Sequence, residues 1–305
     1  MSAGPATVVA LAALAALATS GCGLGAGSDV GGVHLSVTRD YGRDAVLEET
    51  VGDVRESDTV IRVLDRSASI TTRYGGGFVQ SINGTEGGSS GGRYRDWFFY
   101  VNGVESPTGA ADVALSGGER IWWDYRDWTA AMHVPAVVGS WPQPFRGGYG
   151  GERHPVKVEC DGGGDACAEV RARVEAAMGA KPRAKTGGDT IRVLVGPWSR
   201  LRSDPAASQI ERGPQYSGVF AKFRRRGSGY VLEGLATDGR PARKFGSGAG
   251  LVAATRRYDS PPVWVVTGAA DAGVSAAAKI LDEADLRNRY AVATEGGAEA
   301  PLPLR

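Results

Sequence analysis

The sequence predicts an α+β protein: an N-terminal β-grasp-like domain of strands plus one helix, followed by a separate α/β sandwich domain. The chain has 305 residues, which is long for one domain and sufficient for two. The first half consists mostly of short aromatic and β-branched runs between turns, and the second half alternates strand-like with helix-like segments. A Pro- and Gly-rich stretch at residues 131–154, interpreted as a linker or a surface strap, separates residues 33–130 from residues 155–294.

The N-terminus predicts export. An apolar run of about the length of a signal peptide, too short for a permanent membrane helix, ends in small residues before Cys22. This end resembles a bacterial lipobox, so residues 1–22 are interpreted as a signal peptide with Cys22 as the lipidated residue, and 23–32 as a tether. Two features depart from that pattern: Thr19 stands where leucine is usual, and the first residues carry no lysine or arginine. The alternative is cleavage after Ala18 and release of a soluble protein.

The N-terminal domain is predicted to contain two strands, one helix and several further strands. Ser57-Asp58 is a plausible N-cap, and the residues after it place Val60, Ile61 and Leu64 on one helical stripe that can pack on a sheet. Asn83-Gly84 and Asn102-Gly103 are dipeptides favoured in tight turns. The predicted strands are the segments VHLSVTRDYG, TTRY, GFVQSI, WFFYV and RIWWDY, the first ended by Gly42.

The C-terminal domain is predicted from a change of pattern beyond Gly150. Its expected order is strand, helix, strand, then a hairpin that turns at Asp238-Gly239, and then strand, helix, strand. Residues 295–305 are predicted to be a disordered tail. The segments that carry this prediction are PVKVEC, ACAEVRARVEAAM, TIRVLVGPW, GYVLEGLATDGRPARKF, PPVWVVTG, ADAGVSAAAKILDEADL and RYAVAT.

Charge and cysteine content limit the function. The 35 lysines and arginines nearly balance the 34 aspartates and glutamates, so bulk charge does not favour nucleic acid as a partner. Cys160 and Cys167, separated by six residues in an exported chain, indicate a disulfide loop. The nearest histidine, His154, is the only local candidate for a further ligand, so no metal site is predicted.

The sequence contains no recognisable catalytic arrangement. It has no nucleophile elbow, no phosphate-binding loop before a helix and no zinc-protease motif, and its three histidines lie in unrelated contexts. Asp112, Asp124 and Asp127 lie near strand ends, where aspartate commonly caps turns. We therefore predict that the protein is not an enzyme and needs no cofactor.

Aromatic residues occupy both faces of one predicted strand. Side chains alternate along a strand, so Trp97 and Phe99 share one face while Phe98 and Tyr100 share the other. The strand that contains Trp122 repeats this pattern. One helix can cover only one face, so the other face is predicted to be either covered by the strap or the second domain, or exposed as an apolar platform for a large ligand.

Residues 33–128 carry a family resemblance. The segments GGFVQSINGTEGG, RDWFFYVNG and PTGAADVALSGGERIWWDY resemble the C-terminal β domain of the cobalamin carriers transcobalamin and intrinsic factor, and a bacterial domain-of-unknown-function family grouped with it. In those carriers this domain covers one face of the corrin ring and a helical barrel holds the other. Nothing in this chain could form that barrel. Together with the platform, the resemblance implies a set of ligand-binding residues: Ser81, Ile82, Asn83, Gly84, Trp97, Phe98, Tyr100 and Trp122.

These observations predict a cell-surface lipoprotein that binds a bulky solute for uptake, with cobalamin or a related corrinoid as the candidate ligand. A separate helical-barrel protein and an energy-coupling-factor type transporter are the partners that the resemblance implies. The predicted location is the outer face of the cell membrane through the lipid anchor, or the medium if the signal is cleaved earlier. The alternative function is a non-enzymatic protein-interaction or structural module of the envelope.

Overall fold

The computed structural model describes residue 1, residues 27–179 and residues 188–305. The predicted signal peptide and Cys22 therefore lie outside the described residues, apart from Met1. Within the described part of the chain, no helix is long and apolar enough to cross a membrane. The predicted α+β fold class is confirmed, with separate sheets in the two halves of the chain.

The elements of the N-terminal half are β1 (Val33–Arg39), β2 (Asp44–Val51), α1 (Val60–Ser67), β3 (Ile70–Arg73), β4 (Phe78–Ile82), β5 (Thr85–Glu86), β6 (Gly88–Ser90), β7 (Arg93–Val101), β8 (Val104–Glu105) and β9 (Arg120–Asp127). They form a mixed sheet with strand order β2-β1-β9-β7-β6 and a smaller antiparallel sheet β3-β4-β5. In the mixed sheet, β1 pairs with β9 in parallel, while β1 with β2 and β9 with β7 pair antiparallel.

The predicted helix forms as α1 and buries Val60, Val63 and Leu64 in the N-terminal core. Its N-cap is Thr59, and no side chain caps it. Asp58 instead accepts hydrogen bonds from Arg66 Nη1 at 3.0 and 2.9 Å. The predicted capping role of Ser57-Asp58 is therefore wrong, because the Asp58 carboxylate binds the last turn of the helix rather than its first.

The elements of the C-terminal half are β10 (Val156–Cys160), α2 (Asp165–Met178), β11 (Ile191–Pro197), α3 (Trp198–Leu201), α4 (Gln209–Arg212), α5 (Pro214–Ser217), β12 (Ala221–Arg226), β13 (Gly229–Leu235), β14 (Pro241–Phe245), β15 (Gly250–Thr255), β16 (Val263–Gly268), α6 (Asp271–Lys279), α7 (Glu283–Leu286), β17 (Ala291–Glu295) and β18 (Ala298–Leu302). They are built on a six-stranded sheet of order β10-β11-β16-β15-β17-β18. Strands β10, β11 and β16 are parallel to one another, and the remaining neighbours in this sheet pair antiparallel.

Each face of this large sheet is covered differently. Helices α2 and α6 bury one face together with the side chains of Trp141 and Phe145. The sheet β12-β13-β14 and aromatic residues from the N-terminal half bury the other. The predicted hairpin is present as β13 and β14, with Gly239 N donating to Ala236 O at 2.9 Å in the turn.

Two predictions about connecting segments need correction or refinement. The predicted disordered tail contains β18, which pairs antiparallel with β17, because Ala300 and Leu302 have an apolar core to enter. Residues 131–154, called the strap from here on, are a packed connection rather than a free linker, with residues 136–145 buried. Val137 N donates to Gly103 O, and Val138 N donates to Tyr290 O. The strap therefore contacts both halves of the molecule.

Candidate functional site

The predicted aromatic platform is covered in the structure. Tyr100 and Trp122 are 0% and 1% exposed and belong to the core that also contains Tyr290 and strands of the large sheet. The rings of Tyr100 and Trp122 lie 5.8 and 5.2 Å from the Tyr290 ring, in edge-to-face contact. Of the two alternatives that the sequence leaves open, the structure shows the covered face: the second domain packs on Tyr100 and Trp122.

Three other predicted ligand residues are also buried by structural contacts. Trp97 lies in the N-terminal core and donates from Nε1 to Thr85 O at 2.9 Å. Ile82 is in the same core, and the hydroxyl of Ser81 shares a 2.7 Å hydrogen bond with that of Thr71. These side chains hold the strands together and are not presented to a ligand.

The remaining predicted residues belong to a turn and to a cation–π contact. Asn83 and Gly84 are exposed and have positive φ, as the predicted tight turn requires, and Asn83 Oδ1 accepts a hydrogen bond from Ser69 N. Phe98 is half-buried, with the Arg126 guanidinium 3.7 Å from its ring centroid. The structure therefore does not place the Asn83-Gly84 turn and Phe98 together on one apolar surface for a ligand.

A buried polar network connects the two halves beneath this face. Asp124 accepts hydrogen bonds from Thr38 Oγ1 at 2.6 Å and Tyr290 Oη at 2.9 Å. The backbone N–H groups of Tyr41 and Gly42 donate to the same carboxylate at 3.0 Å. Burial raises the pKa of Asp124, while these donors oppose that shift. All groups of this network are enclosed by protein, so it holds the two halves together, and we call it the Asp124 latch.

A cavity of about 860 Å³ lies between the two halves, and we call it the interdomain cleft. The loop after β8, the strap, the segment from Pro205 through α5, and the loop of residues 256–259 between β15 and β16 form its walls. Ligand sites occur preferentially at such domain interfaces. Among the described cavities, this one combines the largest volume with aromatic and charged walls.

The wall contributed by the C-terminal half carries three arginines and two exposed tyrosines. The Arg212 guanidinium lies 3.8 Å from the Tyr216 ring centroid, and that of Arg257 lies 5.5 Å from the Tyr258 ring. The side chain of Arg256 donates to the backbone carbonyls of residues 259 and 260. None of the three arginines forms an ion pair with a carboxylate within the described part of the chain. The wall therefore offers unneutralised positive charge beside ring surfaces.

Tyr258 is the most unusual residue of this wall. It is 84% exposed and has a φ of 52°, which is rare for a bulky side chain, and Tyr216 on the same wall is 47% exposed. Strained backbone that holds an exposed aromatic ring in a cavity is more frequent at functional sites than elsewhere. Residues 256–259 are thus the segment of the cleft that most strongly indicates a functional site.

The opposite wall of the cleft carries a paired acid and histidine. His133 Nδ1 lies 3.4 Å from Glu105 Oε2, and Arg126 Nη2 lies 3.9 Å from Glu105 Oε1. Burial raises the pKa of the Glu105 carboxyl, and the charges of Arg126 and His133 oppose this. A smaller cavity of about 370 Å³, which we call the side pocket, adjoins this wall and shares Glu105, Pro107 and Arg256 with the cleft.

Two other cavities of about 430 Å³ share Arg93 and Arg95 on β7 and Tyr125 on β9. Each has about half the volume of the cleft, and Arg93 lies 3.9 Å from Asp127. In the described residues, no group of three or more histidine, cysteine, aspartate or glutamate side chains is placed to hold a metal ion. The interdomain cleft is therefore the candidate functional site.

Sequence reasoning missed the cleft residues because they come from distant parts of the chain. The only local signal was the run Arg256-Arg257-Tyr258 before Pro261-Pro262, where charge and an aromatic residue precede a turn. Such a run is more often a solvated loop than a site. Only the packing of the strap and of helices α4 and α5 beside it makes it a cavity wall.

Fold and cleft together describe a two-part α+β protein with a cavity between its halves. The family model of the Domain of unknown function (DUF4430) matches residues 57–127, from just before α1 to the end of β9. This match confirms a domain of unknown function in that segment, and the resemblance to the cobalamin carriers stays a prediction. No curated protein sequence matches the chain.

One solved structure with a similar segment comes from Ruminococcus gnavus and bears a provisional description as a metal binding protein. It has 13% sequence identity and a TM-score of 0.26, and the matched region covers 32% of this chain and 97% of that one. A likeness at this level supports no conclusion about the function of this chain.

Proposed function

We propose that this protein is an exported, membrane-anchored binding protein that holds a bulky solute with an anionic group in the interdomain cleft. The observation that carries the proposal is the wall on which Arg212, Arg256 and Arg257 lie beside Tyr216 and Tyr258 with no carboxylate partner among the described residues. Guanidinium groups bind anionic groups through several N–H donors, and tyrosine rings supply apolar contact area. A cleft with both can hold a large, partly apolar, anionic solute.

Binding fits the residues of the cleft better than catalysis. His133 pairs with the carboxylate of Glu105 at 3.4 Å, and no hydrogen bond joins His133 to a hydroxyl or thiol nucleophile among the described residues. The arginines are held by ring and backbone contacts that fix their positions without neutralising them. This arrangement can recognise and release a solute without changing it.

A corrinoid is the first ligand to test, since residues 33–128 resemble the β domain of the cobalamin carriers. The site proposed here differs from the one that the resemblance implies, because Tyr100 and Trp122 are buried. In this proposal the phosphate of the cobalamin nucleotide loop binds at the arginines, and the ring system contacts the tyrosines. Delivery to an uptake system, with a helical-barrel protein and an energy-coupling-factor type transporter, belongs to the same proposal.

The test is equilibrium dialysis of the purified mature protein with cobalamin and with cobinamide, which lacks the nucleotide loop, read by corrinoid absorbance. Replacing Arg212 and Arg257 by Gln should weaken cobalamin binding at least about tenfold, the loss of roughly 1.4 kcal/mol. The matched control replaces the exposed Arg225 and Arg226 by Gln, outside the cleft, and should bind like the wild type.

Two results would count against this proposal. Equal affinity for cobalamin in the cleft variant and the control would show that the arginines take no part. If neither corrinoid binds, the corrinoid assignment is wrong, and a bulky anionic dye such as anilinonaphthalene sulfonate then tests the cleft itself. Dye binding that is unchanged by the Arg212 and Arg257 substitutions would overturn the cleft as the site.

The anchor is tested separately on whole cells. Labelled fatty acid should enter the wild-type protein and not Cys22→Ala, because a lipobox cysteine carries the acyl chains that hold such a protein on the membrane. Equal labelling of both proteins, or a mature N-terminus at Thr19, would exclude the anchor and favour a secreted protein.

The second candidate is a protein-interaction module of the envelope. It is favoured by the exposure of Tyr258 and of Met132, which is 56% exposed. Solute binding and protein interaction differ in the size of the molecule that binds. If crosslinking at Tyr258 captures an envelope protein, and small anionic solutes do not compete with it, the protein-interaction function replaces solute binding.

A further inference from the structure

The side pocket has apolar walls and an acidic rim. Val101 and Val104 at the β7–β8 turn, together with Pro107 and Val113, supply the apolar wall. Its volume of about 370 Å³ accepts a group of the size of a substituted ring or a short chain. Because it shares Glu105 and Arg256 with the interdomain cleft, one solute can reach both cavities.

Three carboxylates line this pocket; Glu105 pairs with Arg126 and His133, while Asp112 and Glu119 form no ion pair among the described residues. Glu105, Asp112 and Glu119 contribute the acids, and Arg256 is the one cationic side chain in the lining. The Arg256 guanidinium donates to backbone carbonyl oxygens at 2.6 and 3.1 Å, so its contacts do not neutralise an acid. The two unpaired acids outnumber Arg256, so the lining of the side pocket is net negative, unlike the arginine wall of the cleft.

Glu119 is the informative member of this group. The residue is 6% exposed, and its Oε2 accepts one hydrogen bond, from Ser116 N at 2.8 Å. Through that bond, Glu119 Oε2 caps the turn before β9. No lysine, arginine or histidine among the described residues forms an ion pair with Glu119. A buried carboxylate without a cation is costly unless another donor completes its hydrogen bonds.

We infer that the side pocket is a subsite for an N–H donor group, a primary amide or an ammonium, carried on a short apolar frame. The second oxygen of Glu119 accepts the N–H, and the valine wall contacts the frame. The inference deepens the proposed function and rests on it only in placing this group on the same solute that meets the arginines. Peripheral primary amides of a corrinoid satisfy it, and so does an amine on another solute.

The experiment uses four small probes that share a benzyl frame and differ in the polar group: phenylacetamide, benzylamine, benzyl alcohol and phenylacetate. Dissociation constants are measured by protein-observed NMR on the purified mature wild-type protein. We expect phenylacetamide or benzylamine to bind at least about tenfold more tightly than phenylacetate, because the anion meets carboxylates. The better of these two probes identifies the donor as an amide or an ammonium.

Glu119→Gln keeps the size of the side chain and removes its charge, so it should weaken benzylamine binding at least about fivefold. Glu49→Gln, on β2 and outside the lining, is the matched control and should bind all four probes like the wild type. The Arg212 and Arg257 substitutions should leave phenylacetamide binding unchanged, so failure of the cleft proposal does not affect this result.

Several outcomes would overturn the inference. Phenylacetate binding as tightly as the amide and the amine is one, and the absence of binding by all four probes is another. A third is unchanged benzylamine and phenylacetamide affinity in a folded Glu119→Gln variant. The ranking of the probes on the wild type decides the question even if that variant fails to fold.

Discussion

At the scale of single residues, strand β7 serves two different cores with alternate side chains. Trp97 points into the N-terminal core under α1, while Tyr100 lies in the core shared with the C-terminal sheet. The aromatic excess of this strand is therefore explained by packing on both faces. The same alternation places Trp123 in the first core and Trp122 in the second.

We expect Tyr100→Ala to destabilise the protein by about 3 to 5 kcal/mol, the usual cost of deleting a buried aromatic side chain. Tyr100 is fully buried against Trp122 and Tyr290, so the cavity it leaves cannot be filled by solvent-exposed groups. Urea denaturation gives the change in free energy of unfolding. Tyr74→Ala is the control, since Tyr74 is 87% exposed and its loss should change stability by less than about 0.5 kcal/mol. Equal stabilities for the two variants would refute the burial of Tyr100.

At the scale of elements, the C-terminal half depends on how its first strand and helix are fixed. Cys160 ends β10 and Cys167 lies in the first turn of α2, and the two form the predicted disulfide with a Cα–Cα distance of 6.0 Å. Strand β10 is an edge strand of the large sheet and pairs only with β11 in the described structure. Covalent and ionic links therefore supplement its backbone pairing.

Replacing Cys160 and Cys167 by Ser should lower the free energy of unfolding by at most about 2 to 3 kcal/mol, because a loop this short restricts the unfolded chain only modestly. Differential scanning calorimetry of the double variant and the wild type measures the loss. Thiol titration of the unreduced, denatured wild type provides the check: with Cys22 excluded, two free thiols per chain would show that the bond does not form.

The pairing of β10 with β11 is also expected to depend on pH. The Glu159 carboxylate accepts hydrogen bonds from Arg192 Nε and Nη2 at 3.1 and 3.0 Å, and this contact lowers the pKa of Glu159. A lowered pKa in the folded state stabilises the protein above the ordinary pKa of glutamate, and the contribution is lost as the pH falls through the lowered value.

Glu159→Gln should therefore be less stable than the wild type near about pH 7, by at most about 1 kcal/mol for this partly exposed pair, and equally stable near about pH 3. Urea denaturation at the two pH values measures both differences. Glu175→Gln on α2, which forms no ion pair in the described structure, controls for the loss of a charge. A stability difference between Glu159→Gln and the wild type that does not change with pH would contradict this account.

At the scale of the whole molecule, the two predicted domains share one core. Gly42 illustrates how closely they pack, since a Cβ atom there would overlap the carbonyl oxygen of Asn288. A Cβ at Gly139 in the strap would lie 2.6 Å from Arg289 N. The Asp124 latch adds hydrogen bonds between the halves, including that from Tyr290. The halves are therefore parts of one packed unit at this interface.

We expect thermal unfolding to show one cooperative transition for both halves, because separating them would expose the shared core to water. An excised fragment of residues 27–130 should bind a hydrophobic dye and lack a sharp transition, since Tyr41, Tyr100 and Trp122 lose their cover. Calorimetry of the whole chain and of the fragment tests this. Two resolved transitions, or a fragment that unfolds sharply by itself, would show that the halves fold independently.

The sequence by itself determined the α+β class, the helix α1, the alternation of strands and helices after the strap, and the disulfide. These features depend on local periodicity, turn residues and cysteine spacing, which act between residues close together in the chain. The prediction of a disordered tail at residues 295–305 is wrong because the order of this segment comes from its pairing with β17, which its local sequence does not show.

Only the tertiary structure decided where a ligand could bind. Whether the second aromatic face of β7 and β9 is open or covered depends on how the two halves dock, and docking joins residues as distant as Asp124 and Tyr290. The cleft has the same origin, because His133, Arg212 and Tyr258 meet only after the strap and the C-terminal sheet are in place. Such a cavity depends on how segments distant in sequence pack against each other, and local sequence patterns do not show that packing.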